Sequence, residues 1–245
     1  MEFTFQNFET EYNAYKQNRD LILTDFHNDL ANNERIARIK KINEEFQNLD
    51  VKIRLAFGIS EIQLNNNFVS DKEGDLKLCH LLYYKLADLW FAYETYLKFF
   101  TIVAGTGKNK IVWLDNAVHN NYTNSSTVIA ALTSVNSALM TTYNSNTKRD
   151  ELMVYLEYCK LHASKEQKQR LTAIIEKIRN TSFTLTHSET LTTIYAIRNN
   201  FVHNGETTIV PDNFGYQNKS KLLKILYPYL CLVLLKATNI TCSRV

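Results

Sequence analysis

The chain is poor in the residues that interrupt regular secondary structure, with only 6 glycines and 2 prolines among its 245 residues. A β-sandwich or a doubly wound α/β protein of this length normally needs many more turn residues. Hydrophobic residues make up 45% of the chain and charged residues 22%, which is ordinary for a globular protein with a real core. The composition therefore argues against strand-rich architectures and predicts an all-α fold.

The cysteines have no spacing typical of a disulfide framework or a zinc site. The chain contains 4 of them, Cys79, Cys159, Cys231 and Cys242, without a CxxC motif. We predict buried, reduced thiols, which suit the cytoplasm. The formal net charge of +3 is compatible with a polyanionic partner but does not require one. Evidence for nucleic-acid binding must therefore come from local features.

The sequence also lacks the patterns of a signal peptide and of a membrane span. Its opening stretch, MEFTFQNFETEYNAY, is polar and acidic, without a charged segment followed by an apolar one. The most apolar run, Ile225 to Leu235, is about half as long as a membrane span requires. This run predicts a buried core helix. We expect a cytoplasmic protein that has no membrane partner.

No motif for nucleotide, metal or cofactor binding is complete. The GTGK stretch from Gly105 to Lys108 resembles part of a phosphate-binding loop, but Ile102 and Asn109 stand where that loop needs glycine and Ser or Thr. The histidines lie on different predicted elements without a ligand pair at helical spacing: His80, His119, His162 and His187. The sequence thus predicts neither a metal site nor a cofactor.

Apolar residues at spacings of three and four positions predict helices over most of the chain. Six are predicted at residues 76–100, 127–143, 148–162, 165–180, 188–204 and 219–239. Pro228 lies inside the last of these helices and should kink it. The arrangement predicts a helical bundle.

The N-terminal part of the chain has a separate pattern. Residues 8–62 predict a helical hairpin with a break near Asn32-Asn33, and its second helix alternates acids and bases around apolar positions. The polar stretch from Asn65 to Asp75 predicts a loop. We therefore predict two domains, an N-terminal hairpin or extension (residues 1–70) and the helical bundle (residues 71–245).

The stretch TTIYAIRNNFVHNGET, Thr192 to Thr207, carries the strongest functional signal. Arg198 lies within the apolar arc of this predicted helix. A guanidinium keeps its charge and is rarely buried without partners, so an anion should meet it. The internal candidate is Glu94, on the edge of the apolar face of an earlier helix. The external candidate is a phosphate, which arginine binds bidentately.

His203 ends the same helix, where the helix dipole favours an imidazolium. Asn199 precedes it by four residues, close enough for a hydrogen bond, and Asn204-Gly205 supplies a helix stop. Arginine and histidine together suffice for metal-free phosphodiester cleavage, since one stabilises charge and the other moves a proton. On a straight helix Arg198 and His203 lie about 140° apart. Either the arginine side chain curls back, or two copies of the chain pool these residues at a symmetric dimer seam.

The R-N-x-x-x-H pattern from Arg198 to His203 resembles the R-x(4–6)-H signature of the HEPN superfamily (higher eukaryotes and prokaryotes nucleotide-binding domain). The apolar IYAI before it and the NG after it fit that setting. The KLADLWFAYETYLKFF helix, which contains Glu94, is similar to first-core helices of HEPN proteins. The resemblance covers roughly residues 76–240, and the hairpin before them is unassigned.

The resemblance implies a HEPN-like helical bundle, usually dimeric, whose paired motifs form a metal-independent endoribonuclease site. Arg198 would contact the scissile phosphate, and Asn199 would position the arginine, the histidine or the RNA. His203 would act as general acid or base for attack by the ribose 2′-hydroxyl. Such proteins occur in toxin–antitoxin, antiviral and RNA-processing systems, which implies an antitoxin or defence-system partner. Asn204-Gly205 departs from the H-x-Y version of the motif, so the tyrosine-modified toxins are not indicated.

Two alternatives remain open from the sequence. One is a non-catalytic HEPN-fold RNA-binding or scaffold protein in which Arg198 forms a structural ion pair with Glu94. The other is an RNA binder that uses the basic helix at residues 165–180. Its candidate RNA-contacting residues are Lys165, Lys168, Arg170, Lys177 and Arg179. Glu166 and Glu176 interrupt this cluster, which favours an ordinary solvated helix face.

Overall fold

The computed structural model describes residues 8–28, 33–65, 73–104, 125–181, 183–209 and 211–245. These residues form eight α-helices and one short 3₁₀ helix, and they contain no β-strand. The predicted all-α helical fold is therefore confirmed. The GTGK stretch and His119 lie outside the described residues, as do Asn32 of the predicted break in the hairpin and residues 66–72 of the predicted loop.

The helices follow the apolar spacing of the sequence. They are α1 (Phe8–Asn28), α2 (Asn33–Gly58), α3 (Glu73–Ala104), α4 (Ser126–Thr142), α5 (Asn146–Leu161), α6 (Lys165–Arg179), α7 (His187–His203) and α8 (Tyr216–Cys242), with the 3₁₀ helix at Asp212–Phe214. Both α3 and α8 begin three residues before their predicted starts at residues 76 and 219 and run beyond their predicted ends. At their N-terminal ends, mostly polar residues extend the helix before the apolar pattern begins, and such boundaries are the least certain part of a helix prediction.

The described helices group into two compact units. Unit 1 contains α1, α2, the part of α3 from Asp88 onward and the part of α8 from Leu230 onward. Unit 2 contains the preceding parts of α3 and α8 together with α5, α6, α7 and most of α4. The predicted division into residues 1–70 and 71–245 stays a prediction.

In unit 1, α1 is bound to α2 and to the C-terminal part of α8. The Tyr15 hydroxyl donates to Asp50 Oδ1 at 2.5 Å inside the unit. Lys236 Nζ of α8 lies 2.8 Å from Glu11 Oε1 of α1. Buried polar groups of this kind need partners, so these contacts specify which faces of the helices meet.

The hairpin formed by α1 and α2 also contacts the C-terminal part of α3. The fully buried rings of Phe46 and Phe99 lie 5.5 Å apart between centroids. Lys52 Nζ donates to Thr95 Oγ1 at 2.7 Å. The hairpin that the sequence left unassigned therefore helps to form the core of unit 1.

In unit 2, α5 packs against α6, α7 and the 3₁₀ helix. Asn136 of α4 forms two hydrogen bonds of 3.0 Å with the backbone of Leu185, just before α7. The stacked rings of Tyr155 on α5 and Phe214 on the 3₁₀ helix lie 4.4 Å apart. These contacts hold α7, which carries the predicted site residues, on the core of unit 2.

The α8 helix is long and apolar enough to cross a membrane, the one such helix in the part of the chain described above. Of its most apolar 18-residue window, 83% is buried. This agrees with the predicted buried core helix. All four cysteines are buried thiols, which confirms that prediction also.

Candidate functional site

The beginning of α7 is fixed by its own sequence. Thr186 and Glu189 form a reciprocal capping box, in which Thr186 Oγ1 accepts from the Glu189 amide and Glu189 Oε2 accepts from the Thr186 amide. Lys177 Nζ of α6 lies 2.7 Å from Glu189 Oε2. The cap and the ion pair therefore fix the residue at which α7 begins and hold that end of the helix against α6.

His187, the first residue of α7, is a buried neutral histidine. Its Nδ1 lies 2.7 Å from the hydroxyl of Tyr229 on α8. Burial lowers the pKa of His187 to about 4 from the ordinary value of 6.5. This buried residue therefore helps to hold the beginning of α7 against α8.

The protonation of His187 should make unit 2 sensitive to mild acid. Because its folded pKa lies below the unfolded value, stability is fully present above about pH 6.5 and is lost as the pH falls toward about 4. We expect His187 to remove roughly 2 kcal/mol of unfolding free energy between pH 7 and pH 5. Urea titrations at the two pH values should show this loss shrinking in His187→Gln but not in His162→Gln, which alters an exposed histidine. An equal loss in both variants would contradict the assignment.

The predicted residues Arg198, Asn199 and His203 meet at one nitrogen. Arg198 Nη1 donates to Asn199 Oδ1 at 2.9 Å and lies 3.1 Å from His203 Nε2. A guanidinium Nη carries two hydrogens, so one atom serves both bonds. The arginine side chain therefore curls back along its own helix, which is one of the two routes predicted for bringing Arg198 and His203 together.

The contact with Arg198 defines the form of the His203 ring. Since a guanidinium only donates, a hydrogen bond in this contact requires His203 Nε2 to accept, which corresponds to the ring form with a hydrogen on Nδ1. The imidazolium expected at this helix end stays a prediction. Arg198 is 5% exposed and His203 is an exposed residue. The pair thus joins a buried fixed charge to a ring that solvent reaches.

The other predicted partners are placed as follows. Asn199 and His203, which the sequence places close enough for a hydrogen bond, both contact Arg198 Nη1. Glu94 belongs to unit 1 and accepts a hydrogen bond of 3.0 Å from Trp90 Nε1, one turn before it. The predicted pairing of Glu94 with Arg198 stays a prediction.

The predicted basic face on α6 is largely neutralised by acids. Arg170 lies 3.2 Å from Glu166, and Arg179 pairs with Glu176 on the same helix. Lys177 is engaged by Glu189, as described above. The remaining two predicted RNA-contacting residues, Lys165 and Lys168, are exposed. A contact between this face and RNA stays a prediction.

The end of α7 uses the predicted Asn204-Gly205 stop. Gly205 has a φ of +70°, which favours glycine because a side chain at positive φ is strained. The amides of Asn204 and Glu206 both donate to the Asn200 carbonyl at 3.1 Å. The helix therefore stops before Gly205, and the next side chain, Glu206, is buried.

A buried polar cluster around Glu206 was missed by sequence reasoning. Glu206 Oε1 accepts from the hydroxyls of Tyr83 and Tyr155 at 2.5 and 2.7 Å. Lys219 Nζ lies 3.2 Å from the same oxygen. Lys219 also donates to the Thr207 carbonyl at 2.5 Å. The four side chains come from α3, α5, the loop after α7 and α8, so the cluster ties these elements together; we call it the Glu206 cluster.

The Glu206 cluster is sealed from solvent, which perturbs its charges. Glu206 is 3% exposed and Lys219 is 1% exposed. Burial raises the pKa of Glu206 and lowers that of Lys219, while the charge of each partner acts in the opposite direction. The only local signal in the sequence was an acid directly after a helix stop, which is also common at protein surfaces. The cluster connects the segment directly after α7 to the interior of unit 2.

Within the described ranges, no group of three or more His, Cys, Asp or Glu side chains is arranged to hold a metal ion. Comparisons with protein-family models, with curated proteins and with solved structures give no match to this chain.

Proposed function

We propose that the protein is a metal-independent endoribonuclease of HEPN type that cleaves RNA through attack by the ribose 2′-hydroxyl. The observation that carries this proposal is the 3.1 Å contact between Arg198 Nη1 and His203 Nε2. It joins a permanent cation, suited to a phosphate, to an exposed proton-transfer group. Asn199 accepts from the same Nη1 and orients the guanidinium.

In the proposed reaction, the substrate phosphate attracts the Arg198 guanidinium and releases the lone pair of His203 Nε2. That nitrogen takes the proton of the 2′-hydroxyl, whose oxygen then forms a bond with phosphorus. The bond from phosphorus to the 5′-oxygen breaks, and a 2′,3′-cyclic phosphate remains. Arg198 stabilises the negative charge that develops on the phosphoryl oxygens. The 2′-hydroxyl makes the reaction specific for RNA.

The departing 5′-oxygen needs a proton, which a neutral imidazole supplies poorly. A protonated His203 from a second copy of the chain would provide it. We therefore include a homodimer with paired α7 helices in the proposal. The HEPN resemblance further suggests a cytoplasmic protein with an antitoxin or defence-system partner.

A second candidate function is a non-catalytic RNA-binding or scaffold protein of the same fold. The low exposure of Arg198, 5%, favours this alternative because structural arginines are also buried with partners. The two candidates differ in whether the exposed His203 matters for turnover.

The proposal predicts cleavage that depends on the 2′-hydroxyl. We expect the purified protein to cut a mixed-sequence, single-stranded RNA oligonucleotide in EDTA and to leave 2′,3′-cyclic phosphate and 5′-hydroxyl ends. The same oligonucleotide made with deoxyribose should stay intact, because it lacks the attacking oxygen. Gel electrophoresis and mass spectrometry identify the products. Cleavage of both substrates, or loss of cleavage in EDTA, would exclude the proposed mechanism.

A further inference from the structure

We propose that Glu206 is a positioning residue that holds His203 against Arg198, and that the rest of the Glu206 cluster holds Glu206. The effect that this positioning by Glu206 would have on RNA cleavage rests on the function proposed above. The effect on the position of the His203 ring does not, because it concerns contacts within the free protein.

The connection between Glu206 and His203 is short. Only Asn204 and Gly205 separate them, and the amides of Asn204 and Glu206 share the Asn200 carbonyl at 3.1 Å. Asn204 Nδ2 also donates to Asn200 Oδ1 at 2.9 Å. A movement of Glu206 therefore changes the same hydrogen bonds that close the last turn of α7.

The anchor of Glu206 is strong for a single side chain. One carboxylate oxygen receives two tyrosine hydroxyls and one ammonium group, all of them buried. The Tyr83 and Tyr155 hydroxyls also lie 3.1 Å from each other. Lys219 binds the next residue as well, through the Thr207 carbonyl. Two consecutive residues after the helix are thus fixed to the interior of unit 2.

His203 needs such an anchor because it ends a helix and is exposed. The final turn of a helix has few backbone partners of its own and opens more easily than the middle. His203 Nε2 stays near Arg198 only while this turn is closed. The buried carboxylate of Glu206 keeps the last turn of α7 closed, which the exposed side chain of His203 cannot do.

The test removes hydroxyl groups from the Glu206 cluster without changing its packing. The variants are Tyr155→Phe and the double variant Tyr83→Phe/Tyr155→Phe. Tyr143→Phe is the matched control, since Tyr143 is equally buried in unit 2 and its hydroxyl has no hydrogen-bond partner among the described residues. NMR reports the tautomer of His203 and the hydrogen exchange of the Asn204 and Glu206 amides.

We expect exchange of the two amides to be about tenfold faster in the double variant, with a smaller increase in Tyr155→Phe. The His203 signals should move from the Nδ1–H form toward the Nε2–H form as the contact with Arg198 is lost. Tyr143→Phe should change neither. If the double variant keeps wild-type exchange and the wild-type tautomer, Glu206 does not position His203.

A kinetic measurement separates this inference from the proposed function. In a protein that cleaves RNA, we expect the double variant to lower kcat about tenfold with KM unchanged, because a misplaced His203 affects the chemical step. A wild-type protein that does not cleave RNA would overturn the proposed function, while the NMR comparison would still decide the role of Glu206. Altered NMR signals with unchanged kcat would overturn the catalytic part alone.

Discussion

Replacing Lys219 with methionine is expected to lower the free energy of unfolding by about 3–5 kcal/mol, because the Glu206 carboxylate would stay buried without its cation. Glu206→Met should have a similar effect, because the buried ammonium of Lys219 would lose its carboxylate partner. Both side chains are sealed in the folded state, with 0% of the side-chain surface of either exposed. Urea unfolding followed by circular dichroism gives the loss for each variant.

The double variant Lys219→Met/Glu206→Met should recover most of this loss. Burial alone disfavours both charges, as the raised pKa of Glu206 and the lowered pKa of Lys219 indicate. Two methionines of similar size avoid that cost, and replacing a buried ion pair by apolar residues is often neutral or stabilising. The deficit of Lys219→Met should also shrink as the pH falls, since a protonated Glu206 carries no charge.

Lys160→Met is the matched control for this cycle. Lys160 lies 2.6 Å from Glu157 on the surface of α5, with 24% and 45% of the two side chains exposed. Lys160→Met should lower the free energy of unfolding by no more than about 1 kcal/mol, as for other exposed ion pairs. Additive effects of the two substitutions in the Glu206 cluster, instead of recovery, would contradict the assignment of a coupled buried pair.

The fold was predictable because its evidence is local. Apolar residues repeat at helical spacing in every described helix, and few glycines or prolines interrupt them. Helix ends were less predictable, since Tyr216 and Lys219 begin α8 with a polar turn that no apolar pattern marks. The Gly205 stop was predictable, because asparagine followed by glycine tolerates positive φ.

The candidate site was predictable only in part. Arg198, Asn199 and His203 belong to one helix, so their spacing in the sequence already placed them near each other. A straight helical wheel separated Arg198 from His203, because it describes Cβ directions and ignores the reach of a long side chain. The contact that joins them depends on how the guanidinium curls within the packed unit.

The Glu206 cluster could not be predicted, because its members are distant in sequence. Tyr83 and Glu206 are separated by 123 positions and Tyr155 and Glu206 by 51. Neither helical periodicity nor a short motif can predict a contact between residues so far apart in the sequence. The burial of Lys219 is a property of the packed helices, since lysine is among the residues least often buried.

Replacing His203 with alanine is expected to lower kcat/KM for RNA cleavage by about 10²–10⁴-fold, the usual contribution of a general acid or base. The folded state should change by less than about 0.5 kcal/mol, since His203 is exposed. His162→Ala is the control, because it removes another exposed histidine of unit 2 that lies at the end of α5. Initial rates on a labelled RNA oligonucleotide measure the effect.

Arg198→Lys completes this prediction by keeping a positive charge while removing the planar donors. Lysine carries its donors on a tetrahedral ammonium and cannot reproduce the planar Nη1 group that now reaches both Asn199 and His203, so cleavage should fall although a cation remains. A variant set in which His203→Ala and His162→Ala both cleave at the wild-type rate, while Arg198→Lys only loses stability, would contradict catalysis and favour the non-catalytic alternative. If His203→Ala and Arg198→Lys both remain folded and both lose turnover, the contact at Nη1 is the reacting centre and not merely a support for α7.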